Sequence, residues 1–577
     1  MATNSTLYDA ELVNTKLFNW LDFILFVLML MFSTMIGVYF GFWGKKEDTP
    51  KEYLHGGKTM STIPVAVSLV ASFISGIMLM GAPTEIYLYG TLYWLVCVAI
   101  VFVALATNYF YLPVFYELQL TSTYEYLQLR FNRSVRIMAS VLSTIGLLLY
   151  IPIVVYVPSL AFSQVSGMNV HIITPITSIL CIVYTTLGGI KAVVWTDVLQ
   201  GVVMVVASVV VIILGVIQVG GVGTVWERSR DAGRIRFFEM SASPFERLSF
   251  WIVVVGNTFN WIAAVSMNQA MVQKLLSLPT YGKVQTSLIV FVIELITVTS
   301  ISCFTGLLIY AKYYDCDPIT SKAVSRPDQL LPYYVMDIAT SIPGLPGLFI
   351  AGIFSASLST MSSSLNAMGA VVFEDLIRPC LRSEINDKTA NNIIKFVVVV
   401  IGVLCVLIVF VVDKLGSVLQ LTLSTAGVTN GAMVGLFSFG MFYPRGNSKG
   451  ALAGSICSML LMGWIVFGTQ RELAEGRIKQ PVLPVSVEGC SFNVTLPVSQ
   501  LNNNSDEEVF VLYRVSFLYY TMMGMIIVFV VGTVVSLLTE APDREQMDPV
   551  LFTPLMRKYV TKKNMEPAEE ELINKIV

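Results

Sequence analysis

The chain has 577 residues, of which 55% are hydrophobic and only 13% charged, and its net charge is −2. A soluble domain carries roughly 25% charged residues, so a chain with a mean hydropathy of +0.73 suits lipid better than water. The charge balance argues against a nucleic-acid partner. His55 and His171 are the only histidines, no His/Cys cluster has metal-ligand spacing, and no Gly-rich loop precedes a Lys-Ser/Thr pair. Metal chemistry and ATP-driven pumping therefore find no support.

Residues 1–19 are polar and lack a basic start, and the first apolar stretch, Leu21 to Trp43, is longer than a signal-peptide core. No cleavable leader is expected. A spanning helix needs about 20 mostly apolar residues. Thirteen such segments occur, near 21–43, 62–82, 91–115, 136–160, 172–190, 194–219, 249–272, 284–311, 345–373, 393–412, 416–441, 450–468 and 515–538. The expected fold is an all-α polytopic membrane protein. The second, fifth and ninth segments are rich in Ser, Thr and Gly, which suits the interior of a bundle better than a lipid face.

Orientation is set by basic residues, which gather on the cytosolic side. With the N-terminus outside, the inside loops hold Lys45, Lys46, Arg130, Arg133, Arg136, Arg378, Lys388, Arg445 and Lys449. The glycosylation sequons at Asn4, Asn493 and Asn503 then share the outer face, whereas the sequon at Asn132 falls in a basic inside loop. Cys316 and Cys490 lie in loops placed outside, where a disulfide between them is permitted but not required. The polar tail from about 541 to 577 is expected in the cytosol, and the chain as a whole in the plasma membrane.

Three segments carry chemistry. The first runs Ser68-Leu-Val-Ala71-Ser72-Phe-Ile74-Ser75-Gly76 and continues to Glu85. Serines compete for main-chain hydrogen bonds and glycine loses entropy in a helix, so this one should break. The freed carbonyls at membrane depth need a cavity or a cation. The second lies in the ninth span, where seven hydroxyl residues fall between Ser355 and Ser364. Hard cations prefer oxygen ligands. The hydroxyls of Ser359 and Thr360 and the carbonyl of Ala356, facing the broken helix, would supply neutral ones. The third is Tyr184 to Gly201, where Gly188-Gly189 ends one span and Asp197 lies near the inner end of the next, as an interfacial anchor or an exit-side attraction for a cation.

These residues also carry a resemblance. YTTLGGIKAVVWTDVLQ resembles the signature of the sodium/solute symporter family. SLVASFISG…GAPTEIYLYG resembles that family's first core helix, FSASLSTMSSSLNAMGAVVFEDL its sodium-site helix, and Asn268-Gln269-Ala-Met-Val-Gln273-Lys274 its NQxxVQR element. The pattern is most similar to the branch of the sodium-coupled monocarboxylate, multivitamin and iodide transporters.

The resemblance implies two inverted five-helix repeats as in LeuT, within residues 53–445, after a leading helix at 21–43 and a tail of 1–20. The trailing helices and their glycosylated loop would then occupy 446–540. It implies sodium held by Ala71, Ile74, Ala356, Ser359 and Thr360, with Ser72, Asp197, Gln200 and Gln269 binding or supporting it. It places the solute among Met78, Ala82, Val96, Tyr150, Trp261, Thr422 and Leu423. Met78 stands where the iodide carriers have glutamine, which weakens an iodide reading. The expected cargo is a small organic anion, a monocarboxylate first and then biotin, pantothenate or iodide. A sodium-responsive sensor or channel on the same fold is the alternative of another class, and enzymatic activity is not expected.

Overall fold

The computed structural model describes residues 18–43, 49–324, 326–339, 342–381, 385–412, 418–478, 480–490, 509–539 and 547–560. The long helices are α1 (Trp20–Val38), α2 (Thr62–Phe73), α3 (Gly76–Tyr89), α4 (Val96–Ala106), α5 (Arg133–Ser166), α6 (Val170–Val219), α8 (Tyr281–Lys312), α9 (Leu345–Val371), α10 (Asp387–Val412), α11 (Val418–Phe442), α12 (Ser448–Ala474) and α13 (Tyr520–Leu538); the short α7 (Gln269–Leu276) lies between α6 and α8. No strand occurs among the described residues. Large apolar side chains such as Phe42, Phe467 and Leu538 face outward on the bundle, as they must where the surroundings are hydrocarbon.

Among the described residues each of the thirteen apolar segments is mainly helical, but they differ in kind. Among the described residues nine helices are long and apolar enough to cross a bilayer, and α2 with α3 forms a further, bent pair. The segments expected at 172–190 and 194–219 run together as α6, whose single non-helical residue is Gly189 at φ 55°. A left-handed φ favours glycine, which explains the bend there. Residues 252–267 mix π and α turns.

At the centre stands α9, whose stretch Leu345–Val371 is buried almost throughout. It packs against α6, α5, α1 and α2. Several of its hydroxyls bond to carbonyls one turn back or to neighbouring helices, which lowers the cost of burying them; Ser362, for example, donates to the Ser359 carbonyl at 3.0 Å, whereas the buried hydroxyls of Ser355 and Ser357 have no partner among the described residues.

Other contacts fix the rim. Cys316 and Cys490 form a disulfide, so the pairing left open by the sequence is made. Asp317 N–H donates to the Ser486 carbonyl at 2.9 Å, and the Tyr87 hydroxyl donates to Asp317. The sequon residues Asn4, Asn493 and Asn503 lie outside the described residues. Asn132 caps α5 by accepting from Val135 N–H at 3.0 Å.

Helices α3 and α8 meet backbone to backbone at Gly306, where a Cβ would strike the Pro83 carbonyl and the Ile86 Cβ. Gly306→Val should push them apart and destabilise the fold by about 1–3 kcal/mol, the usual cost of overpacking. A lowered apparent melting temperature in detergent is the expected readout, and an unchanged one would mean that the helices can separate without cost.

Candidate cation site and central cavity

The break predicted in the second segment is present. Helix α2 ends at Phe73, Ile74 turns extended (ψ 100°), and α3 restarts at Gly76 after a bend of 62°. Among the described residues no main-chain N–H donates to the carbonyls of Ala71 or Ile74 across the break. Gly76 lets α9 come close, because a Cβ there would meet Ser357 Oγ.

Ala356, Ser359, Thr360 and Ser363 fall at i, i+3, i+4 and i+7 and so share one face of α9. That face meets the break. Thr360 Oγ1 lies 3.0 Å from the Ser72 carbonyl and 3.0 Å from the Ala356 carbonyl. One hydroxyl proton cannot serve both fully, and the oxygen keeps its lone pairs. Main-chain carbonyls free of donors across the break, with a threonine hydroxyl against the same turn, are the oxygen types that a hard monovalent cation takes.

Beside this nest is a charged cluster. Asp197 is 0% exposed and Lys274 2%, and Lys274 Nζ lies 2.8 Å from Asp197 Oδ2. Asp197 Oδ2 also accepts from Ser68 (2.6 Å), Ser72 (3.0 Å) and Ser363 (3.3 Å), while Oδ1 accepts from Ser359 at 2.6 Å. Ser72 Oγ is 2.7 Å from Ser363 Oγ and 3.4 Å from Ser359 Oγ. Asp197 is therefore neither a membrane-edge anchor nor an open exit-side charge. It is the buried centre of a hydroxyl ring, and its counter-charge comes from Lys274.

Gln200 Nε2 donates to Ser33 of α1 at 3.2 Å, while its Oε1 is buried one turn after Asp197 without a hydrogen-bond partner among the described residues. Gln269 donates to the Thr121 carbonyl (2.8 Å), accepts from Thr123 N–H (2.7 Å) and lines the central cavity.

A cavity of about 330 Å³ opens from the nest; Ser72, Thr360 and Ser363 are on its wall. Of the expected solute residues, Met78, Ala82, Tyr150 and Trp261 line it. Trp261 stacks on Phe73, the last residue of α2, with centroids 4.3 Å apart. Val96 does not line the cavity; it is 0% exposed in the apolar core beside Leu92 and Leu95. The side chains of Thr422 and Leu423 lie outside the described residues.

Sequence reasoning missed an amide patch on this wall. Asn257, Asn260, Thr429 and Asn430 line the cavity. Asn430 Nδ2 donates to Asn260 Oδ1 at 3.3 Å, and Thr521 Oγ1 reaches the same oxygen at 3.3 Å. Amides spaced i, i+3 inside an apolar run were the available signal, since polar groups at membrane depth are functional by default. Among the described residues the lining holds no Lys, Arg or His. Its one carboxylate, Glu85, is paired by Arg247 at 2.8 and 2.9 Å, and Arg247 in turn lies over the Tyr89 ring at 4.1 Å.

Comparison with known proteins establishes the family and the fold. The chain is 38% identical to sodium-coupled monocarboxylate transporter 2 of Mus musculus, covering 95% of this chain and 88% of the relative. It is 38% identical to human sodium-coupled monocarboxylate transporter 1 over 92% of the chain and 88% of the relative. With the sodium-dependent multivitamin transporter of Oryctolagus cuniculus it shares 35% identity over 96% and 87%. A solved substrate-bound, outward-open Na⁺-coupled sialic acid symporter superposes with a TM-score of 0.75 at 24% identity, covering 91% of this chain and 99% of that one. That likeness establishes the fold with two inverted repeats. Residues 53–458 match the sodium:solute symporter family, and the chain belongs to that family, as a transporter and not an enzyme.

Proposed function

We propose that this protein imports a small monocarboxylate together with sodium across the plasma membrane by alternating access. The observation that carries the reading is the contact of the Thr360 hydroxyl with the Ser72 carbonyl at the α2 break, where among the described residues the carbonyls of Ala71 and Ile74 receive no main-chain donor across the break, beside a cavity whose described lining has no basic side chain. Sodium binds the carbonyls of Ala71, Ile74 and Ala356 with the hydroxyls of Ser359 and Thr360. It pins the break and thereby sets Phe73 against Trp261.

The solute's carboxylate is received by neutral donors, the amides of Asn260 and Asn430 and the hydroxyl of Thr429, with the nearby sodium as its counter-charge. Neutral donors hold an anion weakly enough to let it go. The apolar remainder lies against Met78, Ala82 and Trp261. The names of the relatives favour a monocarboxylate over a vitamin. The cavity's volume of about 330 Å³ is ample for a small organic anion.

The N-terminus lies outside and the tail after about 541 in the cytosol. The disulfide between Cys316 and Cys490 supports that assignment, because such bonds persist on the oxidising side. Asn4, Asn493 and Asn503 are the glycosylation sites on the same face.

Energetically, a tenfold sodium gradient supplies about 1.4 kcal/mol. One charge crossing 100 mV supplies about 2.3 kcal/mol. A monovalent anion that travels with one sodium carries no net charge and draws only on the first; each further sodium adds both.

Ser359→Ala with Thr360→Ala should lower sodium-driven uptake of labelled lactate at least tenfold at equal surface expression. Retained sodium dependence in that double variant would remove the site. In wild type, excess unlabelled lactate should suppress the uptake more strongly than biotin or iodide, and stronger competition by biotin would reassign the cargo to the vitamins. Asn260→Leu should raise the KM for lactate about tenfold or more, the cost of leaving a carboxylate without one buried donor; an unchanged KM would exclude that amide from the solute site.

A further inference from the structure

Lys274 belongs to the short helix α7, which starts where Asn268 caps it by accepting from Ala270 N–H at 2.9 Å. The helix carries the side chain inward until it is 2% exposed. Its ammonium contacts four oxygens: Asp197 Oδ2 at 2.8 Å, Ser363 Oγ at 2.7 Å, the Ser68 carbonyl at 3.2 Å and Ser72 Oγ. An ammonium has three protons, so the shell is larger than its donors require. One carboxylate, two hydroxyls and a carbonyl form the oxygen set that a hard metal cation takes. The shell adjoins the nest at the α2 break, and Ser359 bridges them by donating to Asp197 Oδ1.

We propose that Lys274 is a tethered cation that fills a second cation cage and thereby sets the number of sodium ions carried per cycle. While the ammonium sits among Asp197, Ser72 and Ser363, no sodium can use those oxygens. The charge of Asp197 is already balanced, so the ion in the neighbouring nest is held by neutral ligands alone. Lys274 is in this sense a stoichiometry-determining residue and touches neither the transported ion nor the solute. The proposal rests on the assignment of sodium to that nest.

Removing the lysine charge has two physical effects. Asp197 would be left buried and unpaired, which is unfavourable, and its ring of hydroxyls would remain. Free sodium should take the vacated place. Lys274→Gln should therefore bind one more sodium ion per carrier than wild type, measured with ²²Na⁺ at equilibrium on the purified full-length protein. In proteoliposomes it should move one more positive charge per labelled lactate. Its apparent melting temperature should rise with added sodium chloride more steeply than that of wild type, with choline chloride as control. Asp197→Asn combined with Lys274→Gln removes both charges and should return the sodium count to the wild-type value.

An unchanged count in Lys274→Gln overturns the proposal, and so does a gain that persists in the double variant. Collapse of Lys274→Gln in sodium and choline buffers alike overturns it too, because the cage would then not accept the ion. Thr360→Ala separates this idea from the one beneath it. If Thr360→Ala binds as much sodium as wild type, the nest is wrongly placed, whatever Lys274→Gln does.

Discussion

The architecture depends on one interruption. A membrane helix satisfies its own carbonyls, and wherever it stops doing so something else must. Between Ile74 and Ser75 the chain stops doing so in the middle of a span. The neighbours are arranged around that gap. Gly76 admits α9, the Thr360 hydroxyl approaches the last turn of α2, and Phe73 leans on Trp261 at the cavity wall. If α2 and α3 were one continuous helix, the oxygen face of α9 would have no cation to share and the cavity no reason to sense one.

Charge is matched just as closely. The two carboxylates near the transport path, Asp197 and Glu85, are each paired with a cation at 2.8 Å. Neither is free to repel an anionic cargo, and neither cation is free to trap one. A second mobile cation placed about 4 Å from a standing ammonium would be opposed by about 4 kcal/mol at an effective dielectric of 20, nearly a thousandfold in occupancy. One lysine can thus decide how many ions fit, although it lies outside the cavity lining.

The legible parts of this molecule were those written in periodicity and in local chemistry. The apolar segments, the break at Ser72–Gly76 and the hydroxyl face of α9 could be read because serine, glycine and threonine act within a turn of their own position. The burial of Asp197 could not, because its partner Lys274 is 77 residues away and pairing at that range is set only by the fold. The partners of Gln269 were hidden for the same reason: its motif was recognisable, but not that its amide bonds to the 121–123 loop. Val96 was misplaced because no residue of α4 reaches the cavity; Tyr93, in the turn before it, does. The amide patch crosses three elements, since Asn260, Asn430 and Thr521 meet only in three dimensions.

On the proposed assignment, the shared wall of nest and cavity lets the two ligands act together. Moving a two-state carrier from 1:99 to 99:1 takes about 5.5 kcal/mol of differential binding. An ion present at a hundred times its Kd contributes at most about 2.7 kcal/mol. Sodium in the proposed nest would then divide the population without committing it. A solute on Trp261, whose ring stacks on the final residue of α2, would supply the remainder. Because both contributions act through the same short stretch, Ser72 to Ile74, each ligand is bound more tightly when the other is present, and that reciprocity is what turns two binding sites into symport.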